Sequence, residues 1–357
     1  MIDPVSFLVL LVVTVGLSQI AFPHHRFARL FWITGSGVVL LFITHQRALG
    51  FAIASLLVST GVYVLGRTID NDRVRTRLPY TILLLLFVPD LAQLASDAPT
   101  LFLGSAFFII RQMMTVAQAL KGGAAPGAFV PAMLLATFFV AAIPSGPVFN
   151  GLAAWEDLRT ASPADNRRGL YRLFEGFVYL FALGGFASLA VAAISLASDR
   201  ADGLAGSLIL QGVLLPLSAF AVLFSTFYGY SRMAEGTALL FGFSVPQNFD
   251  RPHLANDLSD YWKRWHRSMA DFVMQYIYLP LLVTTKRTKV ALVAAFVFMG
   301  LWHNLSPSFL IWGVGHGLGL GLLLPWARRR NLPPKAVRVG SLVWVVALSS
   351  VAHGVWA

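Results

Sequence analysis

Two of the eight histidines sit where an imidazole can accept a proton instead of merely facing water. His303 closes the apolar run FMGLWHNLSP, Phe298 to Pro307, and His266 lies in DYWKRWHRSM, Asp260 to Met269, beside two tryptophans and three cations. An unperturbed imidazole titrates near pH 6.5, so a sheltered one next to an alcohol can serve as a general base. From Lys289, about 14 residues at about 1.5 Å each carry His303 roughly 21 Å inward, within a hydrocarbon core about 30 Å thick. An ionisable group at that depth points to function. A histidine that only hydrogen-bonds across helices is the other reading, and position alone leaves both open. His316, in WGVGHGLGLG, reads as a packing or cavity-lining residue. His24, His25, His45 and His353 fall at loop or segment ends and read as interfacial, and His253 lies in a proline-bounded loop.

Other chemistries lack their residues. With no cysteine there is no disulfide, thiolate metal site, S-acylation or cysteine acyl-enzyme. No His-Glu-x-x-His zinc pattern, Gly-x-Ser-x-Gly elbow, P-loop or dinucleotide fingerprint occurs, so no metal is expected. Glu175 and Glu235 interrupt apolar segments, each three residues after an arginine, Arg172 and Arg232, and read as structural ion pairs.

The elements that hold these residues must be membrane-embedded. Hydrophobic residues make up 57% of the 357 and charged residues 12%, about half the usual share of roughly 25%. The net charge of +11 comes from short basic loops between apolar runs, the positive-inside pattern, and not from a nucleic-acid-binding tract. The expected fold is an all-α polytopic membrane protein with about 10–12 membrane-embedded segments by the length rule, some not fully spanning. Candidate segments are Val5–Phe22, Leu30–Thr44, Ala48–Gly66, Pro79–Leu94, Phe129–Phe149, Leu170–Ala197, Leu204–Phe224, Val290–Trp302, Ser308–Trp326 and Val339–Trp356. Shorter pieces are Leu101–Leu120 and Phe272–Val283. The first segment reads as a retained helix, not a cleaved signal. Residues 1–357 read as one domain. The basic loops TTKRTK and ARRRNLPPKAVR share one side, the cytoplasmic one. The run from Ser225 to Gly236 breaks an apolar segment. After it, Asn256 or Asp257 caps an amphipathic helix from Leu258 that puts Trp262 and His266 on one face at i, i+4 and Tyr261 and Trp265 on the next.

Three stretches resemble the membrane-bound O-acyltransferase family, in that family's order: FYGYSRMAEGTALLFGFSVPQNFDRP (Phe227–Pro252), LSDYWKRWHRSMADFVMQYIYLPL (Leu258–Leu281) and GLWHNLSPSFLIWGVGHG (Gly300–Gly317). A fourth, IPSGPVFN (Ile143–Asn150), matches more weakly, and the family-like core runs over about 143–321. The similarity is greatest to the bacterial branch of alginate O-acetylation and teichoic-acid D-alanylation proteins, in which Gly often follows the histidine that His303 matches; here Asn304 follows. The resemblance implies a ring of tilted helices around a central tunnel, with short or re-entrant segments. It implies His303 as the catalytic base and His266 as the second catalytic histidine. Trp262, Arg264, Trp265, Trp302, Asn304 and His316 become tunnel- or substrate-lining residues. The implied reaction moves an acetyl or similar short acyl group, not an amino-acyl or D-alanyl group, from a thioester to a hydroxyl of an exported or cell-envelope glycan. No cofactor is bound; the co-substrate is acyl-CoA or an acyl carrier protein on the cytoplasmic side. A periplasmic or extracellular acyltransferase partner fits the same scheme, as does the bacterial inner membrane. The alternative class is a transporter or channel whose pathway is lined by intramembrane His and Arg.

Overall fold

A computed structural model describes residues 4–21, 25–96, 105–125, 127–160, 165–198, 206 and 209–352. His24 and His353 lie outside them. Every regular element among the described residues is helical. Apolar side chains cover these helices on most sides, and lipid offers no partner to a bare peptide group, so the backbone must satisfy itself within helices. The protein is an integral membrane protein.

The described chain divides into two compact units, Met1–Glu175 with Tyr230–Pro246, and Gly176–Gly229 with Gln247–Ala357. In the first unit, α1 is Pro4–Ala21, α2 Arg26–Thr44, α3 Gln46–Arg67 and α4 Asp72–Arg77. A 3-10 stretch over Leu78–Phe87 leads into α5, Val88–Ser96; α6 is Ser105–Gln118, α7 Phe129–Phe138 and α8 Gly151–Arg159. Two long helices, α9 (Asn166–Ser198) and α10 (Leu210–Phe241), carry the chain from one unit into the other. The second unit adds α11 (Leu258–Arg264), α12 (Arg267–Val273), α13 (Leu279–Thr285), α14 (Thr288–Leu301), α15 (Pro307–Arg329) and α16 (Pro334–Ala352).

Six described helices are long and apolar enough to cross a membrane: Phe27–Thr44 within α2, then α3, α9, α10, α15 and α16. Phe7–Leu17, α7 and α14 are apolar but shorter. Three sequence expectations need correction. Phe129–Phe149 is not one segment, because the helix stops at Phe138 and the chain continues through a 3-10 turn, Val140–Ala142, into irregular backbone ahead of α8. Pro144 and Pro147 each lack an N–H and cannot extend a helix. The polar run Ser225–Gly236 breaks nothing, since α10 passes straight through it. Its charges are neutralised inside the first unit: Arg232 pairs with Glu235 at 2.6 Å and Glu175 at 3.4 Å, and Arg172 with Glu175 at 2.8 Å and Glu235 at 3.8 Å. The third correction concerns Trp262 and His266, which do not share a helix.

Candidate active site

The second unit breaks its helices where chemistry is expected. Asp257 caps α11, its side chain accepting from the Asp260 N–H, and α11 ends at Arg264. Trp265 is extended and His266 is left-handed, with φ 46°, before α12 starts at Arg267. A continuous amphipathic helix fails here because an upstream segment supplies the backbone partners. The Arg267 N–H donates to the Asn248 carbonyl (2.9 Å), the Asp250 N–H donates to the Arg264 carbonyl (2.9 Å), and the Ser268 hydroxyl meets Asn248 Oδ1 (2.5 Å). The break turns the His266 imidazole inward, 4% exposed, edge-on to Phe227 with ring centroids 4.7 Å apart.

His303 stands at a second break. Its helix, α14, has 14 residues, about 21 Å of rise, which is short of the hydrocarbon core of about 30 Å. The His303 N–H donates to the Gly300 carbonyl at 3.0 Å to close the last turn. Ser306 then caps α15, accepting from the Phe309 N–H, with Pro307 at its first position. The hairpin of α14 and α15 is close because Gly300 and Gly313 let backbone meet backbone. A Cβ on Gly300 would lie 2.2 Å from the Phe309 carbonyl oxygen, and one on Gly313 would lie 2.5 Å from that of Phe296.

These breaks assemble one aromatic wall. Trp302 bridges the two histidines, its ring 4.3 Å from His303 and 6.0 Å from His266, centroid to centroid. His303 is half-buried, stacked on Phe309 at 5.1 Å and edge-on to Trp312 at 6.1 Å. Behind it, His316 is fully buried and packs against Trp312 at 4.6 Å and Trp262 at 5.0 Å. Among the described residues neither His316 nitrogen has a hydrogen-bond partner, nor does Trp262 Nε1.

Of the residues singled out in the sequence, His303, His266, Trp302, Trp262 and His316 therefore share one connected set of rings. Asn304 is half-buried beside them. Trp265 joins the same set through Tyr261, which is edge-on to Trp262, and through Phe227, which is edge-on to His266. Arg264 is engaged elsewhere: its Nε donates to Asp260 Oδ1 (2.8 Å) and its Nη1 to the Asp250 carbonyl (3.3 Å). Trp312, Phe296 and Phe309 were missed, although Trp312 lies one helical turn before His316 and that i, i+4 spacing could have found it. Among the described residues no group of three or more His, Asp or Glu could hold a metal ion. The set offers one half-buried imidazole and a second across Trp302, within aromatic walls.

Comparison with known proteins converges on the same stretch. Residues 154–352 match the model of MBOAT, the membrane-bound O-acyltransferase family. A probable alginate O-acetylase AlgI of Azotobacter vinelandii is 33% identical over 225 residues, which are 60% of this chain and 43% of that protein. A peptidoglycan O-acetyltransferase of Helicobacter pylori is 30% identical over 160 residues, 43% of this chain and 30% of the relative. A teichoic acid D-alanyltransferase of Streptococcus thermophilus is 26% identical over 247 residues, 64% of this chain and 58% of the relative. The alignments thus span between 30% and 58% of these relatives.

Proposed function

Because the chain belongs to the membrane-bound O-acyltransferase family, we propose that it transfers an acyl group, acetyl or similarly short, to a hydroxyl of an exported or cell-envelope glycan. The observation that carries this reading is His303, a half-buried imidazole at the broken end of a helix too short to span, with His266 across Trp302 from it. In this mechanism His303 takes the proton of the acceptor hydroxyl, and the oxygen attacks the carbonyl carbon of a thioester. The tetrahedral oxyanion collapses, the C–S bond breaks, and the thiolate leaves with the proton that His303 held. With no cysteine for an acyl-enzyme, direct attack is the shortest route. His266 orients the site through Trp302, which lies between it and His303. Asn304 donates to the oxyanion or steadies the imidazole. The ring wall keeps water from competing with the alcohol.

The donor is an acyl thioester, of CoA or of a carrier protein, arriving from the cytoplasmic side of a bacterial inner membrane, where basic loops attract its negative charge. Names of relatives support the acceptor class: alginate and peptidoglycan are both glycan polymers. The test uses purified full-length protein, radiolabelled acetyl-CoA and an oligosaccharide acceptor. A positioned base contributes about 10²–10⁴-fold, so His303→Ala should lose activity on that scale while eluting as wild type. Full turnover by well-folded His303→Ala protein would overturn the assignment. Mass spectrometry of envelope glycans from a deletion strain identifies the acceptor.

A further inference from the structure

A cavity of about 570 Å³ lies wholly within the first unit, away from the histidine set in sequence and in element. Arg67, Arg75, Tyr63, Gly122, Gly127 and Phe129 are among the residues lining it. Its volume is that of a small-molecule site, commonly about 300–1,000 Å³.

Three independent features give it one chemical preference. The first is charge. Between Gly66 and Pro79 there are four arginines against two aspartates. Arg67 ends α3 and makes one long bond, 3.5 Å, to the Tyr63 hydroxyl. Arg75 pairs through Nη2 with Asp72, itself 79% exposed, while its Nε is buried with no hydrogen-bond partner among the described residues. The second is backbone. α7 starts at Phe129 with no side-chain cap, so the Phe129 and Val130 amides have no intrahelical acceptor and add partial positive charge to the cavity wall, Pro131 having no N–H to add. Gly122 and Gly127 have φ of 85° and 76°, and a Cβ on either would meet nothing within 4 Å. Their role is therefore backbone direction, which other residues adopt at a cost. The third is an apolar surface: the Tyr63 ring stacks on Phe129 at 3.7 Å and 13°, a flat face for the rest of a ligand.

Two guanidinium groups and a helix start converging on one cavity match a tetrahedral oxyanion with several acceptor oxygens. Planar guanidinium forks meet such oxygens two at a time. We propose that this cavity binds the phosphate of a phosphorylated ligand, drawn either from an anionic lipid headgroup or from a soluble phosphorylated coenzyme. The basic loop around it has the character of cytoplasmic loops, and both sources are found on that side. The lipid arm stands independently of the acyl-transfer reading, whereas the coenzyme arm rests on it, because coenzyme A is also the donor proposed there.

The experiment compares wild type, Arg67→Gln/Arg75→Gln, Arg67→Lys/Arg75→Lys and Arg73→Gln as full-length purified proteins. One arm measures retained phosphatidylglycerol against phosphatidylcholine by native mass spectrometry. The other measures coenzyme A binding by calorimetry in detergent. The double Gln variant should weaken one or both by about tenfold or more, equivalent to about 1.4 kcal/mol. The double Lys variant should keep most of the affinity, and Arg73→Gln all of it. Raised salt should weaken binding in step. Loss on the lipid arm alone assigns a headgroup, loss on the coenzyme arm alone a soluble ligand, and loss on both a site open to either. If the double Gln variant fails to fold, Arg67→Gln alone, at an exposed helix end, carries the test. Two results overturn the proposal: neither probe binding wild type, or both binding well-folded Gln variants as tightly as wild type.

Discussion

At the scale of single residues, three imidazoles in one set of rings divide by what surrounds them. His303 is half-buried and reachable, and His266 is buried beside it. His316 is fully buried in a box of Trp262, Trp312 and Phe296, with neither nitrogen bonded. A buried polar group without a partner adds no hydrogen-bond stability, and replacing it by an apolar group of similar volume is close to neutral. His316→Leu should therefore leave the thermal unfolding midpoint unchanged or raised, with any stability change within about 1 kcal/mol. A fall of several degrees would mean that His316 has a bonded partner the ring packing does not reveal. The sequence already marked His303, because counting residues from Lys289 places it, with Asn304 following, below the membrane surface. It marked His316 only as a packing histidine. The partners Trp312, Phe296 and Phe309 were invisible to that count, since which aromatic faces which imidazole depends on a hairpin whose closeness rests on Gly300 and Gly313.

At the scale of elements, the helix break between α11 and α12 was the feature that periodicity could not supply. Leu258 onward reads as one amphipathic helix because its local pattern is amphipathic, but Asn248 and Asp250 lie too far back for any local window to include them. The left-handed backbone at His266, φ 46°, is a conformation that glycine adopts freely and alanine does not, at about 1–2 kcal/mol. Both His266→Gly and His266→Ala delete the imidazole, so both should impair acyl transfer alike. The Gly variant should nevertheless be more stable than the Ala variant by about 1 kcal/mol, which melting curves of the two proteins would measure. Equal stability would mean the turn relaxes once the ring is gone. The cap of α11 carries a pH signature. Arg264, bonded to Asp260, holds that carboxyl below the usual carboxylate range, and Asn256 donates to the same group. A depressed folded pKa stabilises above the unfolded value of about 3.9 and the contribution is lost as pH falls through the folded value. Hydrogen-exchange protection over Leu258–Arg264, corrected for intrinsic rates, should hold from pH 8 to about 5 and drop below about 4. Asp260→Asn should flatten that dependence.

At the scale of the whole molecule, the constraint is charge in an apolar chain. Its helical, membrane-embedded character follows from composition. The six long helices follow from run length, but the expected segment Phe129–Phe149 dissolved into shorter pieces because run length is blind to 3-10 geometry and to proline placement. Four charges shared by α9 and α10 form a quartet, Arg172, Glu175, Arg232 and Glu235, whose side chains are 17%, 17%, 9% and 5% exposed. Sequence spacing gives each i, i+3 pair within its helix, while the cross-helix pairs at 3.4 and 3.8 Å need the packing of α9 on α10. Such a network is balanced, and its energetic consequence appears only when it is unbalanced. Removing one member leaves an opposite charge buried, at a cost of about 3–5 kcal/mol, whereas removing a pair can be neutral. Glu235→Leu should thus lower thermostability sharply, and Arg232→Leu alone should do the same. Combining them should restore most of the loss, because Arg172 and Glu175 keep their own 2.8 Å pair. Fluorescence-detected size exclusion after heating ranks the three variants without requiring reversible unfolding. Additive losses in the double variant would mean that the four charges act separately, and that the two helices are held at this point by packing alone.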